Sequence, residues 1–246
     1  MNSFTFYLAI LFICFEAFSA HADEIISAKL GYAIPTATGN LSATAPGIPG
    51  GTLSDTALGV ERSNNITAEV ALQVGDGCLS VSYLPLKFKG SSTLAAPANF
   101  NGRSFSGAII SELKADIFDV GYTYYLINMD DLPSRLQFGI ETAVKHLRVD
   151  TKLTSSIASQ TASTTVSIPT IGARGRIALA DFIGLVGRIG YAGTRFMDID
   201  GQLEFSPLPS LGLYAGYRYL DIKIDSSPVL MNMQFAGPYA GALFRF

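Results

Sequence analysis

Short segments in which apolar and polar residues alternate run through most of the chain. In residues 64–74, for example, the apolar side chains from Ile66 to Val74 alternate with Thr67, Glu69 and Gln73. A period of two is the pattern of a β-strand with one apolar and one polar face, and no long window shows helical periodicity. Clusters of Gly, Pro, Asn, Asp and Ser separate the segments. The sequence predicts ten strands, at residues 24–34, 64–74, 78–90, 108–127, 135–150, 164–180, 183–192, 197–206, 210–225 and 231–246.

The connections between these strands alternate between short and long. The short set is 75–77, 128–134, 181–182 and 206–209; the other set is 35–63, 91–107, 151–163, 193–196 and 226–230. Antiparallel barrels of bacterial outer membranes have short turns on one side and longer loops on the other. We therefore predict an all-β fold: a closed antiparallel transmembrane β-barrel of about ten strands, with eight as the alternative.

The clean alternation lasts about nine to eleven residues per strand, which is the length that a tilted strand needs to cross a bilayer. In several strands the apolar residues then change face, as in the segment 220–224. Such a change predicts either a β-bulge or a stretch that lies above the membrane.

Composition separates a membrane barrel from a soluble one. A secreted barrel or sandwich with its charged face outward would show the same alternation. Charged residues are only 15% of the chain, against about 25% in an ordinary soluble domain. Mean hydropathy is +0.32, although no apolar run after the first 15 residues approaches the length of a membrane helix. These features favour strands that face lipid.

The N-terminus predicts a cleaved signal peptide at residues 1–22, followed by a barrel domain at 23–246. The apolar run Phe4 to Phe15 precedes Ala20-His21-Ala22, a small-x-small cleavage site. Two departures are the absence of Lys or Arg from the first three residues and the presence of Glu16. The mature chain then has 17 basic and 19 acidic side chains, and this weak net charge argues against a nucleic-acid partner. Cys78 is its single cysteine, which rules out an internal disulfide.

The last ten residues carry a resemblance to a known class. Phe246, Phe244, Ala242 and Ala240 share one strand face, and the chain ends on the aromatic residue. This ending resembles the C-terminal signature of Gram-negative outer-membrane β-barrels, and the mature chain is similar in architecture to OmpA-type and OmpW-type barrels without a periplasmic domain. The resemblance implies location in the bacterial cell outer membrane and contact with its lipid. It also implies insertion by the outer-membrane assembly machinery, with Phe244 and Phe246 as the assembly signal.

The polar strand faces would point into the lumen of such a barrel. Twelve charged residues lie on them: Lys29, Glu69, Asp119, Glu141, Lys145, Arg174, Arg176, Arg188, Asp200, Glu204, Arg218 and Arg245. A barrel of eight to ten strands is filled by its own side chains, and unpaired buried charges are costly. We therefore predict an internal ion-pair network that closes the lumen. A narrow conduit lined by the same residues is the alternative.

No segment predicts a catalytic, cofactor or metal site, and the expected role is structural or surface interaction without enzymatic activity. A narrow channel for small or apolar solutes is the first alternative, and a lipid-modifying enzyme at the rim is the second. Barrels that resemble lipid hydrolases place His and Ser two residues apart, but Arg148 stands there after His146. The acids of 198–204 lack the spacing of a calcium loop. The long segment 35–63 is the predicted contact for an extracellular partner.

Overall fold

A computed structural model describes residues 26–246 apart from 61, 130–135, 181 and 209. The predicted signal peptide at 1–22 lies outside the described residues and stays a prediction. Among the residues that are described, none of the helices is both long enough and apolar enough to cross a membrane.

The described chain is almost entirely extended. Its elements are β1 (Ile26–Ala33), β2 (Thr36–Ala43), β3 (Leu53–Ser54), α1 (Asp55–Leu58), β4 (Asn65–Val74), β5 (Gly77–Phe100), β6 (Arg103–Met129), β7 (Leu136–Ser155), β8 (Ser159–Ala180), β9 (Ile183–Tyr191), β10 (Phe196–Leu208), β11 (Leu211–Ser226) and β12 (Val229–Arg245).

Ten strands close into an antiparallel ring. Strand β1 pairs with β4 on one side and with β12 on the other, and β4 to β12 each pair with the next strand along the chain. The closing seam runs from Ser27 opposite Arg245 to Ala33 opposite Tyr239. The all-β barrel of ten strands is confirmed, and the alternative of eight strands is wrong. Both ends of the described chain lie at the end with the short turns, which we call the short-turn end.

The opposite end, which we call the long-hairpin end, differs from the prediction. Residues 91–107 and 151–163 were expected to be irregular loops, but the hairpins β5–β6 and β7–β8 continue through them with paired strands. The β5–β6 hairpin turns at Asn101 and Gly102, whose φ angles of 45° and 80° lie in the left-handed region. Ser, Thr and Ala are typical of loops, yet Leu94, Phe105 and Leu153 occupy buried positions in these segments.

The segment 35–63 is also folded, contrary to the expectation of a long loop. Strand β2 pairs with the first half of β12, and β3 pairs with β2. The single turn α1 follows Ser54, whose side chain accepts a hydrogen bond from the Ala57 amide, as an N-cap residue does. Leu58 at the end of α1 is buried in the apolar core. The segment therefore packs across the long-hairpin end of the barrel.

The most informative feature of the barrel is a level at which its two faces exchange polarity. On β6, inward Asp119 is followed upward by inward Ile117, while outward Phe118 is followed by outward Asp116. On β7 the inward change falls between Lys145, which pairs with Asp119, and Leu147. We call this level the polarity boundary. On the short-turn side of it the barrel is polar inside and apolar outside, and on the long-hairpin side the reverse holds.

The polarity boundary explains the change of face predicted at 220–224. The pairing of β11 with β12 is unbroken from Leu211 to Ser226, so no bulge occurs there. Leu220, Ile222 and Ile224 continue the inward face of Arg218. Side chains therefore keep alternating between the inward and the outward face along the whole strand, and only the polarity of each face changes. The explanation by a bulge is wrong, and a stretch beyond the lipid is the remaining one.

Apolar side chains fill the interior on the long-hairpin side. Phe88 on β5 and Phe235 on β12 stack across the barrel, with ring centroids 5.6 Å apart. At the mouth, the amide of Asn101 donates to the Ala43 carbonyl at 2.9 Å, and its side chain donates to the Thr161 carbonyl at 2.9 Å. The tip of the β5–β6 hairpin thus bridges β2 and β8 above the apolar core.

Candidate functional site

The lumen on the short-turn side holds all twelve charged residues that the sequence assigned to it. Each lies on the inward face of its strand and is buried or half-buried. Strand alternation is what brings them together, because every second side chain of nine of the ten ring strands points to the same axis. The structure arranges eleven of them in two clusters and one separate pair, and Asp200 contacts a tyrosine instead.

Six side chains at the polarity boundary form what we call the central cluster. Its members are Asp119, Glu141, Lys145, Arg188, Asp198 and Arg218. Lys145 Nζ lies 2.5 Å from Asp119 Oδ2 and 3.1 Å from Asp198 Oδ2. The guanidinium of Arg218 forms a two-pronged contact with Asp198, at 2.9 and 2.8 Å. Three cations face three carboxylates, so the cluster is electrically balanced.

Arg188 connects the remaining members of the central cluster. Its guanidinium contacts Asp119 through Nη2, and its Nε lies 2.8 Å from Glu141 Oε1. The second contact lacks hydrogen-bond geometry, because Nε counts as a buried donor without an acceptor. Lys145 and Asp198 are 0% exposed, so the centre of this cluster is shielded from bulk water.

A second cluster surrounds Glu204 nearer the short-turn end. Lys29 Nζ lies 2.9 Å from Glu204 Oε1, and the guanidinium groups of Arg245 and Arg176 lie 2.7 and 3.3 Å from Oε2. The separate pair joins Arg174 to Glu69 at 2.7 Å. Lys29 belongs to β1 and Glu204 to β10, so this ion pair crosses the closing seam between β1 and β12.

Two acidic residues of β10 differ from the sequence-based assignment. Asp200 was expected to pair with an arginine, but its carboxylate accepts a hydrogen bond from the Tyr239 hydroxyl. Asp198 was not among the candidates, yet it is the carboxylate that contacts three cations of the central cluster. Its position two and six residues before Asp200 and Glu204 places all three on one strand face. That spacing was the signal that could have identified it.

Within the described part of the chain, two cavities are found in the lumen. One, of about 70 Å³, lies at the short-turn end and is lined by residues that include Arg174, Arg176 and Gln137. The other, also about 70 Å³, lies at the polarity boundary between Asp200, Arg218 and Phe235. Each volume corresponds to roughly two water molecules at their liquid volume of about 30 Å³. Among the described residues, no group of three or more His, Cys, Asp or Glu side chains is placed to hold a metal ion.

The outer surface on the short-turn side is an apolar band. Outward side chains on it are exposed although they are large and hydrophobic: Leu30, Ile66, Val70, Leu79, Phe118, Val120, Ile140, Val144, Ile171, Ile189, Ile199, Leu203 and Leu213. Exposed aromatic residues, including Tyr32, Tyr122, Tyr124, Tyr217 and Phe205, accompany them. A soluble monomer rarely exposes a patch of this extent, whereas lipid solvates it.

The fold is that of an outer-membrane β-barrel. A closed ring with an even number of antiparallel strands, an apolar outer band and a polar lumen meets the requirements for crossing a bilayer with strands. The predicted fold class and the resemblance to small outer-membrane barrels are confirmed, and the bacterial outer membrane is the location of such a fold.

Comparison with known proteins identifies no family for the chain. No family model matches the chain, and no curated protein matches it. Among solved structures, the chain is similar to Ail, the attachment invasion locus protein of Yersinia pestis, in complex with the heparin analogue sucrose octasulfate. The two are 12% identical, with 89% of this chain and 99% of that chain covered and a TM-score of 0.40.

It is also similar to Neisserial surface protein A, at 12% identity, 92% and 100% coverage and a TM-score of 0.39. The translocator domain of the autotransporter NalP from Neisseria meningitidis is 12% identical, with 98% and 95% coverage and a TM-score of 0.42. At these values the similarities carry no inference about what the chain does.

The predicted assembly signal lies on the lipid-facing side. Phe244 and Phe246 are 39% and 69% exposed on the outer surface, while Arg245 between them points inward to Glu204. The last amide of the chain donates to the Ile26 carbonyl at 2.9 Å, so the terminal residue belongs to the closing seam. Recognition of these aromatic residues by the assembly machinery stays a prediction.

His146 has a serine partner that the sequence reasoning missed. Its Nδ1 lies 3.0 Å from Ser167 Oγ, on the outer surface, because the two residues are directly opposite on β7 and β8. The partner lies on the next strand, so a search for spacing along one strand could not find it. Within the described residues, His146 makes no hydrogen bond to a carboxylate that would orient the ring for base catalysis. The pair alone carries no proposal of enzymatic activity.

Proposed function

We propose that this chain is an integral outer-membrane barrel with a closed lumen, whose role is structural or surface interaction rather than transport or catalysis. The observation that carries the proposal is the filling of the lumen on both sides of the polarity boundary. On the short-turn side the interior holds balanced ion pairs, and on the long-hairpin side it holds a packed apolar core.

Each half of the filling opposes the passage of ions for a different reason. An ion entering the central cluster would have to displace one of six mutually paired groups. An ion entering the apolar core would lose its hydration without gaining a polar partner, which costs many kcal/mol. The two cavities, of about 70 Å³ each, have room for a few waters between these fillings.

The long-hairpin end would present the surface for interaction. The segment 35–63 was the predicted contact with an extracellular partner, and most of it packs on the barrel through β2, β3 and α1. Its longest exposed run is the turn that contains Pro46, Gly47, Ile48 and Pro49. We propose this apolar turn as the contact point, since exposed apolar side chains at a loop tip are typical of interaction sites.

Single-channel recording in planar bilayers tests the closed lumen. The expected result for the wild-type barrel is no sustained conductance step. The double variant Lys145→Ala with Asp119→Ala removes one cation and one carboxylate together. It widens the lumen on the short-turn side and leaves the charges of the central cluster balanced. This variant should also stay silent, because the apolar core remains. Regular conductance steps in the wild-type protein would contradict the proposal.

A second candidate, the uptake or binding of a small apolar solute, is favoured by one observation. The pairing of β4 with β5 ends at Ala68 opposite Tyr83, and Pro85 has no amide to continue it. The cavity at the polarity boundary is lined there by outward Ala68 and Tyr83 as well as inward Leu84. It therefore reaches from the lumen toward the outer surface.

An apolar fluorescent naphthylamine tests this candidate. If the opening binds apolar solutes, the wild-type barrel should take up the dye in detergent, and Ala68→Trp should abolish the uptake by filling the opening. Ala28→Trp on the outer face of β1 is a matched control outside the lining. Equal uptake by all three proteins would rule out this site.

A further inference from the structure

A concentration of basic side chains lies on the outer surface of three neighbouring strands. Lys87 and Lys89 of β5, Lys114 of β6, and Arg148 and Lys152 of β7 all face outward and are exposed. We call these five residues the basic patch. The strand registers place them in adjacent rows: Lys87 is opposite Lys114, and Arg148 and Lys152 lie within two residues of the position opposite Lys114.

The acidic residues of the same face are less available than the basic ones. Lys89 pairs with Glu112 at 3.6 Å, and Arg148 with Asp150 at 3.1 Å. In these pairs the side chains of Lys89 and Arg148 are 75% and 65% exposed, while those of Glu112 and Asp150 are 28% and 30% exposed. A molecule that approaches from outside therefore meets cations first.

Lys87 and Lys114 carry like charges side by side, while Asp150 lies opposite Lys114 on its other side, on β7. They occupy directly opposite positions on β5 and β6, where like charges destabilise a sheet. Within the described residues, no carboxylate lies within 4.0 Å of either ammonium group to form an ion pair. The nearby acid Asp116 already accepts a hydrogen bond from the Tyr83 hydroxyl at 2.7 Å. An external anion between the two lysines would remove the repulsion.

The height of the basic patch identifies the kind of anion. Lys114 lies four residues beyond lipid-facing Phe118 on β6, or about 13 Å along the strand at roughly 3.3 Å per residue. A strand tilt of about 45° reduces this to roughly 9 Å in height. Long lysine side chains bend toward the interface, so their ammonium groups reach the level of lipid head groups.

We propose that the basic patch binds the phosphate groups of a phosphorylated lipid in the outer leaflet. Lysine recognises phosphate as a compact positive charge, and the paired lysines at the level of the head groups match a phosphomonoester. The proposal rests on the membrane placement proposed above. It adds a specific lipid contact on one side of the barrel, at β5, β6 and β7, to a chain whose overall charge is negative.

Lipid-binding measurements in vesicles test the proposal. The folded barrel is inserted into phosphatidylcholine vesicles that contain a minor fraction of phosphatidic acid, and association of spin-labelled phosphatidic acid is compared with that of spin-labelled phosphatidylcholine. The altered protein carries Lys87→Gln and Lys114→Gln. The matched control carries Arg103→Gln, at the hairpin tip, and Lys223→Gln, on β11, which also removes two positive charges outside the patch.

The expected result is a preference for phosphatidic acid in the wild-type protein and in the control. The patch variant should lose affinity by on the order of fivefold per lysine removed. Equal loss in the control variant would overturn the proposal, because it would show a general charge effect. Equal association of the two lipids with the wild-type barrel would also overturn it.

Two further outcomes distinguish this proposal from neighbouring ones. A soluble sulfated oligosaccharide that competes with phosphatidic acid at equal concentration would assign the patch to an extracellular polyanion and overturn the lipid proposal. A barrel that does not insert into vesicles would overturn the membrane placement itself. Insertion without any preference for phosphatidic acid would overturn only the lipid site.

Discussion

Replacement of Lys145 by methionine is the perturbation that tests the central cluster most directly. The ammonium group contacts Asp119 and Asp198 at 2.5 and 3.1 Å, and the side chain is 0% exposed. Methionine has a similar length and no charge. The change therefore keeps the volume and leaves the cluster with three carboxylates and two cations.

The expected cost follows from the unpaired carboxylate. Removal of one partner from a buried ion pair costs about 3–5 kcal/mol, because the other charge stays buried without compensation. The matched control is Lys152→Met on the same strand, where the side chain faces outward and is exposed. Loss of an exposed charge costs about 0–1 kcal/mol. The two variants should therefore differ by roughly two to three orders of magnitude in the unfolding equilibrium constant.

Urea unfolding of the barrel in detergent micelles measures this difference through the two midpoints and slopes. Addition of Asp119→Asn to Lys145→Met should restore part of the lost stability, since the cluster is then balanced again with two cations and two carboxylates. Coinciding midpoints for Lys145→Met and Lys152→Met would refute the reasoning and mean that water screens the cluster.

Three other outcomes are expected. Replacement of Phe246 by Asp should lower the amount of heat-modifiable barrel in the outer membrane more than it lowers synthesis, whereas Phe182→Asp outside the last strand should not; equal amounts would contradict the assembly role. Mass spectrometry of the exported protein should find Asp23 as the first residue, and a retained leader would disprove cleavage after Ala22. Phe88→Ala should cost about 3–5 kcal/mol in urea unfolding because it empties the apolar core beside Phe235, and Phe118→Ala on the lipid side should cost clearly less.

The barrel could be predicted from the sequence because its signal is periodic. Alternation identified all ten ring strands, and the short turns fixed their order. The parts of β5 to β8 at the long-hairpin end were not predicted as strands, because the Ser, Thr, Ala and Gly residues in 91–107 and 151–163 are typical of loops. Those small polar side chains face water, and the inward positions that hold the strands in place, such as Leu94 and Leu153, are sparse.

The charged residues that line the lumen could be predicted from the sequence, but the partner of each residue could not. Strand faces follow from counting by two, so the charged set could be assigned from residue numbers alone. Partners depend on the shear of the barrel and on which strands lie across the axis, neither of which a local pattern contains. Asp200 was therefore predicted to pair with an arginine, whereas in the structure its carboxylate accepts a hydrogen bond from the Tyr239 hydroxyl. The contact of His146 with Ser167 could not be predicted for the same reason, because it depends on the register between β7 and β8.

The exchange of polarity between the two faces has a consequence for how the protein reaches its final form. Above the boundary, the apolar core is held together by exclusion of water, while below it the strands need lipid on their outer side. The apolar core lies beyond the apolar outer band, so it has to pack in contact with water rather than lipid. The hairpins β5–β6 and β7–β8 favour this packing, because the two strands of each hairpin are neighbours in sequence and are joined by a short loop.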